Sequence, residues 1–243
     1  MAANYEQRAV LFLDVLGFKR LINENRQDLI EEALEITCGQ HQSNYEVSAF
    51  SDNMAVSLPF RHGYELAELI QFASSITLHL LHKGVLSRGG IAVGDLRHKG
   101  NFVYGPALVE AYQLESKAAT YPRIVLARDA VAKSLQVGGN AQGCEEFIRG
   151  FLRTDFDGFD HVHILDHKAA MPFHIMLPPE ALGTPGPISF KALIDAKVAA
   201  VNKALDNNPA TDDHSRAKHE WFRHYTAQYE LHYTLVRNPP VAI

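Results

Sequence analysis

The chain has 243 residues, a formal net charge of −5 and the composition of an ordinary globular protein, which suits one large domain or one domain with an appendage. The negative balance announces no general polyanion-binding surface, so no nucleic-acid partner is expected. No apolar run approaches the roughly 20 residues of a membrane span, MAANYEQRAV lacks a signal-peptide core, and Cys38 and Cys144 form no Cys-x-x-Cys; a cytoplasmic protein without membrane contact is the expectation.

The first predicted strand runs from Arg8 to Val15, and its run Ala9-Val10-Leu11-Phe12-Leu13 is of the kind covered on both faces. Asp14 then places one acid inside it. An ionised carboxylate there is costly unless something offsets it: a bound cation, a nearby Arg or Lys, or a solvent-facing strand end. Helical spacing follows from Phe18 to about Gly39, in one or two pieces, with Leu29, Ile30, Ala33, Leu34 and Ile36 inward. Glu46–Phe50 and Met54–Leu58 flank the polar turn Ser51-Asp52-Asn53 as a β-hairpin. Tyr64 to Lys83 is an amphipathic helix ended by Gly84. The stretch RGGIAVGDL is a strand, and residues 97–104 are a hairpin arm. Pro106 opens a helix over Ala107–Ala119, Arg123–Ala127 is a strand, and Asp129–Leu135 is a short helix.

Residues 136–160 read as Gly-rich and irregular, and His161–Leu165 as a late strand. His161 and His163 share a strand face, as metal ligands do, but no third ligand accompanies them, so they read as surface or core histidines. PPEALGTPGP (178–187) is a Pro/Gly hinge. Beyond it, Phe190–Leu205 and Asp213–Leu235 read as two helices packed on the domain or on a dimer contact. The predicted fold is therefore α+β: a ferredoxin-like βαββαβ catalytic domain over 1–177, and a hinge plus C-terminal helical extension over 178–243.

In that plan strand one lies beside the second and third strands, so Asp14 and Asp52 come to face each other. Two adjacent carboxylates repel, and one protonates unless cations sit between them. Mg²⁺ or Mn²⁺ turns the pair into a site of hard oxygens that also grips phosphate. Two ions about 3.5–4 Å apart activate an attacking hydroxyl and stabilise a leaving oxygen. The Leu16-Gly17-Phe18 turn leads into a helix whose free N–H groups suit a triphosphate. Taken alone, Asp52 is a common turn residue.

Four stretches in order resemble the class III nucleotidyl cyclases, the group of the adenylate and guanylate cyclases. The first metal motif, Phe-x-Asp-Ile-x-Gly-Phe, stands as Phe12-Leu13-Asp14-Val15-Leu16-Gly17-Phe18, and the hairpin Gly-Asp as Ser51-Asp52. The Arg-x-Gly-Ile-x-x-Gly strand stands as Arg88-Gly89-Gly90-Ile91-Ala92-Val93-Gly94. The Gly-x-x-Val-Asn-x-Ala-x-Arg-Leu-Glu helix aligns with Gly105 to Glu115. The departures are as informative. The family's ribose Asn and transition-state Arg positions hold Val109 and Gln113, and its two purine-reading positions hold Ser48 and Phe102.

The metal half of the site is thus kept and the base and phosphate half rewritten. With LFLDVLGF, FSDN, RGGIAVG, YGPALVEAYQLE and YPRIVL, the chain is most similar to the pyrimidine cyclases of the bacterial Pycsar anti-phage system. That resemblance implies cyclic UMP or cyclic CMP made from UTP, less favourably CTP, acting on a separate effector protein. It also implies Asp14 and Asp52 as catalytic metal ligands with the Val15 carbonyl as a third, two Mg²⁺ or Mn²⁺ ions per site, and a head-to-tail homodimer with sites at the interface.

The missing cation at the α-phosphate is assigned to Arg97, followed by Lys117 and Arg123. Phe50 and Ser48 share a strand face toward the base, where an aromatic stacks on a pyrimidine. Asn53 serves base or phosphate, and Gly17 and Phe18 the phosphates. The alternatives are a catalytically silent cyclase-homology module that binds nucleotide or protein, and a purine cyclase.

Overall fold

The structure, a computed structural model, describes residues 5–29, 31, 32, 35, 44–137, 141–165 and 190–237. In chain order the elements are β1 (Glu6–Leu16), α1 (Phe18–Asn23), β2 (Glu46–Phe50), β3 (Asn53–Pro59), α2 (Tyr64–His82), β4 (Leu86–Lys99), β5 (Phe102–Tyr104) and α3 (Pro106–Gln113). A π turn, Leu114–Ala118, follows, then β6 (Ile124–Leu126), α4 (Ala130–Val137), α5 (Ala141–Arg149), β7 (Leu152–Thr154), β8 (Asp160–Val162), α6 (Phe190–Asn207) and α7 (Asp213–Arg237). The sheet order is β2-β3-β1-β4-β6-β8-β7, with β5 paired to β4 outside that path. Pairing is antiparallel except between β4 and β6. The first six elements of the βαββαβ plan thus form the expected α+β unit, with the order β2-β3-β1-β4.

Strand alternation gives β1 two unlike faces. Ala9, Leu11, Leu13 and Val15 are buried against α2, whose Leu66, Leu69, Ile70 and Ala73 are buried in turn. Each large aliphatic chain so buried contributes roughly 2 kcal/mol. The other face carries Phe12 and Asp14, and α3 crosses it over β1 and β4. The approach is close because Gly90 has no side chain: a Cβ there would lie 2.2 Å from the Ala111 carbonyl oxygen and 2.7 Å from Leu114 Cβ.

Several expectations are corrected. β1 lies between β3 and β4, not beside β2, so Asp14 has a strand neighbour on either side. The helical stretch after Gly17 comes in two pieces, as one of the two expectations had it: α1 ends at Asn23 and helix resumes at Gln27, while the apolar positions Ile30, Ala33, Leu34 and Ile36 lie outside the described residues, as does the 178–187 hinge. The helix begun at Pro106 is α-helical only to Gln113; Ala119 N–H then donates to the Leu114 carbonyl at 2.8 Å, an i→i+5 bond. That wider turn buries Glu115 and leaves Ser116 and Lys117 outside. The stretch read as irregular holds α5 and β7, because Ile148 and Phe151 are buried and outweigh its glycines. α6 packs on α2, and α7 on α6. No described helix is long and apolar enough to cross a membrane.

Candidate active site

The strand register sets Phe50, Asn53, Asp14 and Arg88 in one row across β2, β3, β1 and β4. Asp52 sits just beyond that row, in the turn entering β3. Its carbonyl accepts the Val15 N–H at 2.9 Å, and its Oδ1 accepts Asn53 Nδ2–H at 2.9 Å. The two acids are therefore drawn together, close enough for the charge on Asp52 to act on Asp14.

Arg88 supplies the countercharge inside the chain. Its Nε–H donates to Asp14 Oδ2 at 3.1 Å, and its Nη2 lies 2.6 Å from Glu115 Oε1, an ion pair without hydrogen-bond alignment. Burial pushes the carboxyls of Asp14 and Glu115 above their ordinary range; Arg88 opposes this for both, and neighbouring carboxylates add to it. Lys218 of α7 is a further cation whose charge reaches Asp14. Asp14 and Glu115 thus share one guanidinium, and the Asp52 charge bears on both carboxyls.

Among the described residues no three His, Cys, Asp or Glu side chains converge as a protein-only metal cage. The donor set nevertheless fits Mg²⁺ or Mn²⁺: two neighbouring carboxylates of hard oxygen, with Arg88 shared between Asp14 and Glu115. Such ions commonly take their remaining ligands from substrate phosphate and water.

Ser48 has a different place from the one expected. Its hydroxyl donates to the Gly100 carbonyl at 2.9 Å and so accepts from His98 Nε2–H at 2.9 Å. His98 Nδ1 then accepts from Ser57 Oγ–H at 2.7 Å, and Ser57 Oγ accepts from Arg8 Nε–H at 2.8 Å. The Ser48 hydroxyl proton is already used within the protein, pinning β2 to the β4–β5 turn, so it is not free to donate to a base.

Burial, then the Arg8 charge, brings the His98 pKa down to about 4; burial does the same for His161. A depressed histidine pKa makes the unfolded state bind more protons below its ordinary value, so its stability contribution is present above pH 6.5 and is lost as pH falls toward 4. His98 alone is expected to cost about 2 kcal/mol on going from pH 7 to pH 5. Asp14 and Glu115, with raised values, oppose this slope. Denaturant unfolding at both pH values should therefore show a steeper loss in the wild type than in His98→Gln; equal slopes would contradict the buried neutral ring.

Phe50 is 83% exposed and is no core residue. Gly17, at φ +78°, turns the chain from Val15-Leu16 into α1, with Phe18 half-buried beside it. The remaining cation candidates are not brought to the acids. Arg97 lies nine positions along β4 from Arg88, and the odd count turns it to the other face. Lys117 is exposed and lines a separate cleft of about 370 Å³ with Glu110, Gln113 and Arg128. Arg123 is buried in ion pairs with Asp155 and Asp157.

The residues that reasoning from sequence missed are Arg88, Glu115 and Lys218. The first two stand inside quoted motifs, and Arg88 shares the strand parity that faces Asp14. A cavity of about 780 Å³ lies elsewhere, between α7 and the β7–β8 hairpin. Its wall is the parallel stack Tyr121, Trp221 and Tyr225, with the buried His161 edge-on to Trp221. These rings anchor α7.

No family model and no curated protein sequence matches the chain. Solved structures do. The adenylyl cyclase CyaB from P. aeruginosa aligns at 14% identity and TM-score 0.44, over 65% of this chain and 93% of that one. A bacterial light-regulated adenylyl cyclase aligns at 12% and 0.46, over 72% and 98%. An adenylate/guanylate cyclase/hydrolase from Silicibacter pomeroyi aligns at 16% and 0.40, over 66% and 96%. Likenesses this distant carry no functional argument, which rests on the site's own residues.

Proposed function

We propose that the chain is a metal-dependent nucleotide cyclase, converting a pyrimidine nucleoside triphosphate, UTP before CTP, to its 3′,5′-cyclic nucleotide and pyrophosphate. The observation that carries this reading is the juxtaposition of Asp52, in the turn entering β3, with Asp14 inside the row Phe50, Asn53, Asp14, Arg88. Two Mg²⁺ or Mn²⁺ ions bound there would supply Lewis-acid activation of the ribose 3′-hydroxyl and charge neutralisation at the leaving pyrophosphate. Asp14, Asp52 and the Val15 carbonyl would hold them.

The chain's own residues do the rest. Arg88, once Asp14 turns to metal, keeps Glu115 as partner and offers its remaining N–H groups to phosphate oxygen. Phe50, exposed in the same row, gives a face for base stacking. With the Ser48 proton committed to Gly100, a purine-reading cation is missing from that position, which favours the smaller bases. Val109 and Tyr112 are exposed apolar groups on α3, which crosses the face of β1 that carries Asp14, and they suit the head-to-tail homodimer that the resemblance implies. The cyclic product would act on a separate effector in anti-phage defence.

The Arg88 ion pair favours one competing reading, a silent nucleotide-binding module, because it satisfies Asp14 without metal. Incubating the pure protein with each of the four ribonucleoside triphosphates and Mn²⁺, and resolving the products, separates the two. Cyclic UMP or cyclic CMP is the expected product. No cyclic nucleotide from any of the four at high protein concentration would overturn the cyclase reading, and a purine product alone would move the specificity.

A further inference from the structure

The α6–α7 turn docks on the Gly17 turn and α1, which follow directly on the strand that carries Asp14. Asn208 donates through Nδ2 to the carbonyls of Ala204 at 2.7 Å and Gly84 at 3.1 Å, and its Oδ1 accepts from Arg20 Nη2–H at 2.8 Å. Arg20 also reaches the Asn207 carbonyl. The same Asn208 Oδ1 lies 3.2 Å from where a Cβ on Gly17 would stand, three residues after Asp14. His219 on α7 closes this contact, its Nε2–H donating to the Asn208 carbonyl at 2.6 Å.

Half a turn on, Trp221 Nε1–H donates to Asp155 at 2.7 Å. Asp155 pairs with Arg123, whose carbonyl accepts the Gly89 N–H at 3.1 Å, next to Arg88. Lys218 is therefore bracketed by two anchors, one leading to Gly17 beside Asp14 and the other to Gly89 beside Arg88. It is half-buried, and the charges within its reach are Arg88, Asp14 and, in the turn before α7, Asp212.

We propose that Lys218, delivered by the C-terminal helical pair, is a phosphate-contacting cation of the Asp14–Asp52 site, meeting the polyphosphate charge that the neutral Gln113 cannot. The proposal rests on the cyclase reading for its substrate but not for its test. An ammonium is a compact charge on a flexible stem and follows a phosphate that moves in the reaction better than a guanidinium already committed to two carboxylates. It also gives the C-terminal extension a part in the site.

The test titrates inorganic tripolyphosphate with Mn²⁺ into wild type, Lys218→Met, Lys218→Gln and Lys218→Arg by calorimetry, and measures turnover of the productive triphosphate. The neutral variants should bind tripolyphosphate about tenfold more weakly, the loss of one charge-assisted contact, while Lys218→Arg stays close to wild type. Mn²⁺ alone should bind the neutral variants as well as wild type or more tightly, since a competing cation is gone. Unchanged tripolyphosphate binding in both neutral variants, or no tripolyphosphate binding by the folded wild type, would overturn the proposal. A wild type that binds tripolyphosphate through Lys218 yet makes no cyclic nucleotide would sink the cyclase reading and leave this one standing.

Discussion

Asp14→Asn is expected to lower cyclic nucleotide formation by at least about 10³-fold while leaving the thermal midpoint unchanged or raised. The two halves of this result have separate causes. Turnover falls because an amide is a poor partner for a hard divalent ion, and the pair that holds the ion loses one of its two charges. Stability holds because the carboxylate is kept at a cost. Burial raises the Asp14 pKa even with Arg88 bonded to it, and Asp52 adds repulsion. Asparagine keeps the shape and still accepts from Arg88, which retains Glu115 as its second partner. Product chromatography beside calorimetry checks both halves. A variant that keeps a tenth of wild-type turnover would remove Asp14 from the chemistry.

Arg123→Met is expected to do the opposite, costing about 3–5 kcal/mol of stability. The Arg123 side chain is 1% exposed and closes ion pairs with both Asp155 and Asp157, and its guanidinium lies over the rings of Tyr121 and Trp221. For Asp157, burial works against the charged form, but the Arg123 hydrogen bond and its other contacts outweigh it and hold the pKa low. Removing the cation leaves two carboxylates with no countercharge in the seat of Trp221, so α7 should loosen first. Adding Asp155→Asn and Asp157→Asn to Arg123→Met should recover part of the loss, since the unpaired charges and not the missing arginine carry most of it. Were Arg123 a phosphate ligand instead, Arg123→Met would unfold at the wild-type denaturant concentration and show only a raised KM.

These two residues mark what the sequence could and could not tell. Asp14 was legible because an acid in an apolar strand breaks a pattern, and because the Ser51-Asp52-Asn53 turn fixes a hairpin that returns beside it. The even face of β1 and β4 was legible in parity, which would have named Arg88 as the arginine among the open alternatives for Asp14. Arg97 was misplaced for want of a count: nine positions of continuous β4 carry it away from the row and onto the other face. Arg123 could not be read, since its partners lie more than 30 positions on, in a loop with no periodic signal. Glu115 was hidden by the π turn, which rotates it inward from what spacing presents as an ordinary helix. The role of Lys218 depends on Asn208 meeting Gly17 and Arg20, a contact nearly 190 positions apart that no local pattern announces.

A direct measurement of the metal pair is Mn²⁺ titration followed by electron paramagnetic resonance, in the presence of a pyrimidine nucleoside triphosphate with a methylene α–β bridge that cannot release pyrophosphate. Wild-type protein should take up about two ions per chain, and both Asp14→Asn and Asp52→Asn should lose that uptake while binding the same analogue weakly. Equal Mn²⁺ uptake by the wild type and the two variants would contradict a shared ion cluster at these acids.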